Sequence, residues 1–151
     1  MSIAPPTYED ARLLMEYYKL WDTPLDGEAW AFFRRAREDG TFDSFEAFAE
    51  RVPSGSHEFV LFDRVLCGFE QAGVLMKHGL MHPDLYFDAW ASPASAWHAV
   101  ETVVRGLRRR RGNAHVYANL EWLGRRAAEW YESHPPEESE GPEPVEAGVH
   151  R

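Results

Sequence analysis

Three observations predict an all-α fold, a bundle of about six or seven helices followed by a disordered acidic tail. Apolar residues recur every three or four positions through most of the chain. Capping and stopping residues separate those runs, and no stretch alternates with period two long enough to demand a sheet. The longer helices should pack as a bundle joined by short loops. All 6 Trp, 6 Tyr and 9 Phe lie between Tyr8 and Tyr131 of the 151 residues. At that length one domain can bury about two-thirds of its extended surface without metal or disulfides. We therefore expect a single helical domain over residues 1–134 and a tail over 135–151.

Each helix has local grounds. Thr7 with Asp10 forms a capping box, and Ala11, Leu14, Met15, Tyr18 and Trp21 follow at helical spacing, which predicts a first helix from about Tyr8 to Trp21. A second apolar set, Leu13, Tyr17 and Leu20, leaves only Arg12, Glu16 and Lys19 as a wet stripe. Such a helix must pack on two sides or meet another chain. Asp26 can cap a helix carrying Trp30 and Phe33 that stops at Gly40, and Asp43 with Glu46 can cap a short one carrying Phe45 and Phe48.

Pro53-Ser54-Gly55 is a break. From Ser56 the pattern Phe59, Phe62, Leu66, Phe69, Ala72 and Met76 predicts a long central helix to Gly79, with Asp63, Glu70 and Lys77 on its opposite side. Gly68 and Gly73, costly inside a helix, point to a close neighbour. His82-Pro83 opens a short helix to about Trp90, and Ser92-Pro93 opens another whose buried stripe is Trp97, Val100, Val104 and Leu107, ended by Gly112. Asn113 can cap the last helix, with Val116, Leu120, Leu123, Ala127 and Trp130 on one face.

Residues 135–151 hold four Pro, two Gly and five Glu without an aromatic residue. Such a segment buries too little to offset its ordering entropy. Its formal charge of −4 leaves −5 of the chain's −9 on the domain, which disfavours duplex-DNA binding driven by net charge. The single Cys67 excludes an internal disulfide framework and a cysteine-based zinc cluster. No apolar run approaches the ~18–20 residues of a membrane span, and Met1 to Pro6 lacks signal-peptide regions. A cytoplasmic protein is the expectation.

Candidate chemistry is sparse. Arg105, Arg108 and Arg109 share a helix face with His98, Glu101 and Thr102, which reads as a solvated face. An acidic partner, the protein's own tail or nucleic acid are the alternatives for it. Arg111 continues the buried stripe and would need a carboxylate such as Glu70 or Glu121. The seven histidines form no H-E-x-x-H motif, and the turn His78 to Asp84 reads as punctuation between helices. Cys67 reads as a small buried hydrophobe. No nucleophile elbow or glycine-rich phosphate loop occurs. Catalytic, metal-binding and cofactor-binding residues are therefore assigned to none of the positions. Trp122 points off the core axis beside Asn119 and Arg126, with Arg125 and Glu129 nearby, which fits packing of a wide helix face on the first helix or, as the alternative, an interface anchor.

The stretch Phe62 to Leu85, the tryptophan at Trp97, the arginines closing its helix, and Tyr117-Ala-Asn-Leu-Glu-Trp-Leu123 resemble a prokaryotic all-helical family known as domain of unknown function 4760, over roughly residues 10–131. The resemblance implies a helical fold and no activity, since the family has no established catalytic residues. Members often look like a membrane anchor followed by this domain, and this sequence departs from them in lacking the anchor.

The leading expectation is a non-enzymatic helical interaction module without a cofactor, self-associating or docking another protein through Leu13, Tyr17 and Leu20 and the surface around Trp122, Arg125 and Arg126. An anion or nucleic-acid binder using Arg105, Arg108, Arg109, Arg110, Arg125 and Arg126 is the alternative, with the acidic tail as a cover for that patch. A small enzyme with Asp63, Glu70, His78 and His115 converging in an interhelical pocket is the third reading.

Overall fold

The computed structural model describes residues 3–89 and 93–136. Among them are seven helices and no strand: α1 (Tyr8–Leu20), α2 (Pro24–Glu38), α3 (Phe45–Arg51), α4 (His57–Lys77), α5 (Pro83–Ala89), α6 (Pro93–Arg111) and α7 (Ala118–Ser133). None is long and apolar enough to cross a membrane. The expected helix end at Trp90 and start at Ser92, and the tail from residue 137 onward, lie outside the described residues.

The central helix α4 is flanked by α2 and α7; α6 packs on α7, α3 on α6, and α1 on α5. Rings fill the middle. Phe62 is fully buried, 4.7 Å from Phe48 and 5.8 Å from Phe42, while Phe33 sits 5.1 Å from Phe42. The predicted stripe of α6, Trp97, Val100, Val104 and Leu107, is buried against Leu120, Leu123 and Ala127 of α7. Burying side chains of this size stabilises the fold by about 1.5–3 kcal/mol each.

Three caps differ from expectation. Thr23 caps α2, and Asp26 lies three residues inside it, reaching back to the Thr23 N–H at 3.0 Å as the second half of a capping box. Ser44, not Asp43, caps α3 by accepting the Ala47 N–H at 3.0 Å. Asn113 only closes a turn onto the His115 N–H, and α7 starts after Tyr117, which holds a left-handed φ of 50° without a side-chain cap of its own.

The missing cap comes from α4. Glu70 accepts the Leu120 N–H and the Asn119 side-chain amide, each at 2.8 Å, Lys77 donates to Asn119 Oδ1 at 2.8 Å, and Asp63 accepts the Tyr117 hydroxyl at 2.5 Å. The stripe Asp63, Glu70, Lys77 thus faces α7 rather than lying away from the packed side. A helix start exposes unpaired N–H groups that favour a carboxylate, and α4 provides one. Gly73 lets the two helices meet: a Cβ there would lie 2.6 Å from the Asn119 carbonyl oxygen. Gly68 faces side chains, the Trp21 ring 3.5 Å and the Tyr17 hydroxyl 3.8 Å from where a Cβ would stand, so of the two glycines Gly73 alone is demanded by a neighbouring backbone.

Candidate functional site

The ends of α4, α5 and α7 enclose a cavity of about 540 Å³. α7 contributes Trp122 and, one turn on, Arg126; α4 ends on Met76 and Lys77; the turn before α5 brings His82, Pro83 and Asp84. Trp122 is half-buried, with Lys77 Nζ 5.4 Å and the Arg126 guanidinium 5.9 Å from its ring centre. Trp130 closes one wall, donating to Asp84 at 2.8 Å and stacking on His134 at 4.3 Å. The N-terminal segment reaches the same place, where the Ala4 carbonyl lies 2.8 Å from His82 Nε2. Two features read separately in the sequence, the His78 to Asp84 turn and the Trp122 surface, therefore belong to one concavity.

Most of the arginines are engaged within the protein. Arg105 pairs with Glu101 at 2.6 Å, Arg108 and Arg125 with Glu121 at 2.6 Å each, and Arg126 with Glu129 at 2.9 Å. Arg108 departs most from the solvated face expected of it: its side chain is 16 % exposed, and it also donates to the Val116 carbonyl, binding α6 to the start of α7. Glu121 is thereby taken by Arg108, while Arg111 lies over the Phe59 ring at 5.6 Å. Arg110 reaches Ser54, and Arg109 is exposed. Burial raises the Glu121 carboxyl, but the bond to Arg108 and the charges of Arg108, Arg125 and Arg105 outweigh it and hold the group below the usual glutamate range.

Helix α1 packs on two sides. Tyr17 is buried, donates to the Gly68 carbonyl at 2.6 Å and meets Tyr86 of α5 at 6.1 Å. Tyr17 is therefore a core residue; Leu13 is half-buried and Leu20 exposed, as are Tyr8 and Met15. Glu16, Arg12 and Lys19 separate Leu20 from Tyr8 and Met15 around the helix, so the exposed apolar residues form no single stripe.

The polar groups of the enzyme reading do not converge. Asp63 and Glu70 are committed to α7, whereas His78 and His115 are exposed. Among the described residues no group of three or more His, Cys, Asp or Glu side chains is placed to hold a metal ion. Cys67 is half-buried, and burial, with the Asp63 carboxylate next in importance, pushes its thiol up to about 12.

The family model described as Domain of unknown function (DUF4760) matches residues 12–127. This chain belongs to that family. No curated protein and no solved structure matches it. The DUF4760 match takes in α2 to α6 whole, with most of α1 and α7, and so includes Asp63, Glu70, Lys77 and Trp122. What the sequence did not reveal is that Lys77 belongs beside Trp122. The one available signal was its place seven residues after Glu70.

Proposed function

We propose that this DUF4760 domain is a non-enzymatic protein-interaction module that docks a partner protein on its Trp122 face. The observation that carries this reading is a half-buried indole with two cations, Lys77 and Arg126, over its ring, lining a concavity. Tryptophan and arginine are the residue types that dominate interface energetics, because a rigid ring buries much area at little entropic cost. The anion-binding alternative is weakened because four of its six arginines, Arg105, Arg108, Arg125 and Arg126, are already paired with carboxylates. A reducing, cytoplasmic setting fits the free thiol of Cys67.

The test is affinity capture from the native host with the full chain as bait, alongside Trp122→Ala and Arg126→Glu. Val60→Ser, an exposed change on another part of α4, serves as the control. A partner retained by wild type and Val60→Ser but lost by the other two supports the reading. Light scattering of the purified chain covers the case of a second copy, whose association the same substitutions should abolish. A monomer whose captured proteins are unchanged by both substitutions overturns it.

A further inference from the structure

We infer that a second cavity, between α1, α2, α4 and α5, binds a flat aromatic carboxylate. The cavity measures about 460 Å³, within the roughly 300–1,000 Å³ of small-molecule sites. It lies apart from the Trp122 concavity and shares no lining residue with it.

The walls are rings. Trp30 of α2 meets Phe69 of α4 edge-on at 5.8 Å and 87°, and Tyr17, Trp21 and Tyr86 line the other side. Their polar atoms are largely spent inside the protein. The Tyr17 hydroxyl donates to Gly68, and Trp21 Nε1 donates to Gln71 at 3.0 Å. Such walls offer ring faces and edges, which favour a planar aromatic body over a flexible chain. Gly68 contributes backbone instead of a side chain, which keeps the space open.

The charges select the other end of the ligand. Among the lining residues are two guanidiniums, Arg34 and Arg64, and one carboxylate, Asp26. Arg64 and Asp26 neutralise each other: Nε meets Oδ1 at 2.6 Å, Nη2 meets Oδ2 at 3.2 Å, and the Arg64 guanidinium covers the Trp21 ring at 4.1 Å. Arg34 stands four residues after Trp30, on the same face of α2, and no carboxylate of the described residues pairs with it. In a chain of net charge −9 the cavity therefore carries an excess positive charge beside an aromatic lining. A guanidinium fork matches a carboxylate in shape and charge. Arg34, exposed at the rim of this lining, is placed to receive one anionic group.

The experiment is calorimetric titration of the full chain with naphthoate at neutral pH, compared with neutral naphthamide, with laurate, and with the variants Arg34→Gln and Arg126→Gln. Arg34 and Arg126 are exposed, so neither change threatens folding. Saturable naphthoate binding is expected, about tenfold or more weaker in Arg34→Gln and for naphthamide on the wild type, the loss of one charge-assisted pair. Arg126→Gln should bind as wild type does. The inference is overturned by no saturable binding, by equal affinity in Arg34→Gln, by weakening in Arg126→Gln, or by tighter binding of laurate than of naphthoate.

Discussion

The carboxylate of Glu70, in the middle of α4, accepts the backbone N–H of Leu120 in the first turn of α7 at 2.8 Å. One helix thus caps another across 50 residues of chain, and the second oxygen of the same carboxylate holds the Asn119 amide at 2.8 Å. Glu70→Ala should therefore lower stability by about 1–3 kcal/mol, the sum of a lost cap and an amide left without its acceptor. Glu70→Gln, which keeps an acceptor, should cost less. Urea denaturation at neutral pH measures both, and equal stability of wild type and Glu70→Ala would refute the trans-cap.

Two glycines five residues apart on α4 should respond with opposite signs. In Gly73→Ala the new methyl would meet the Asn119 carbonyl at 2.6 Å, and α7 must move away, at a cost of about 1–3 kcal/mol. In Gly68→Ala the methyl would find the Trp21 ring at 3.5 Å, an ordinary contact, and helix propensity should add about 0.5–1 kcal/mol. Denaturation midpoints that move in the same direction for both would contradict this packing.

Acid should destabilise the fold through Asp26. Burial raises its carboxyl, but hydrogen bonds from Arg64 and Thr23 and the Arg64 charge together outweigh burial and hold it below the ordinary 3.8. Folding therefore favours the ionised form. Its stabilisation is complete above the unfolded value and disappears as pH falls through the lower folded value. Asp26→Asn should lose about 1–3 kcal/mol at neutral pH and show a shallower decline in acid. An unchanged acid slope in urea midpoints would remove Asp26 as a cause.

Cys67 should be a slow nucleophile. With its thiol pushed up to about 12 by burial, little thiolate exists at mildly alkaline pH. Alkylation by iodoacetamide should run at least about tenfold slower in the folded chain than in urea. Equal rates would mean that the thiol is freely accessible.

The helices themselves were legible because their signals are short in range. The Thr7 and Asp10 capping box, the α6 stripe of Trp97, Val100, Val104 and Leu107, and the stop at Gly112, with its left-handed φ of 60°, all act within a turn or two. The caps of α2 and α3 were not legible, since the sequence alone places them on Asp26 and Asp43. Thr23 caps α2 instead of Asp26 and Ser44 caps α3 instead of Asp43, because each stands in extended backbone directly before the first helical residue, where its side-chain oxygen accepts the N–H three residues on. Trp122 was recognisable as off-axis, but the cavity around it was not, since Lys77 and the His82 to Asp84 turn come from distant segments.

Taken alone, the sequence determined the all-α class, the order and approximate limits of the helices, and most of the buried stripes of α4, α6 and α7, since period and punctuation are properties of neighbouring residues. In α1 the expected stripe failed, with Ala11 and Met15 exposed and Tyr17 buried. Only the tertiary structure decided that Asp63, Glu70 and Lys77 serve α7, that Glu121 belongs to Arg108 and not Arg111, and that Arg34, which no carboxylate of the described residues meets, stands beside a ring-lined cavity. Those pairings depend on the register in which helices far apart in the chain lie against each other. Spacing along one helix says which residues share a face, while the docking of two helices says what that face meets.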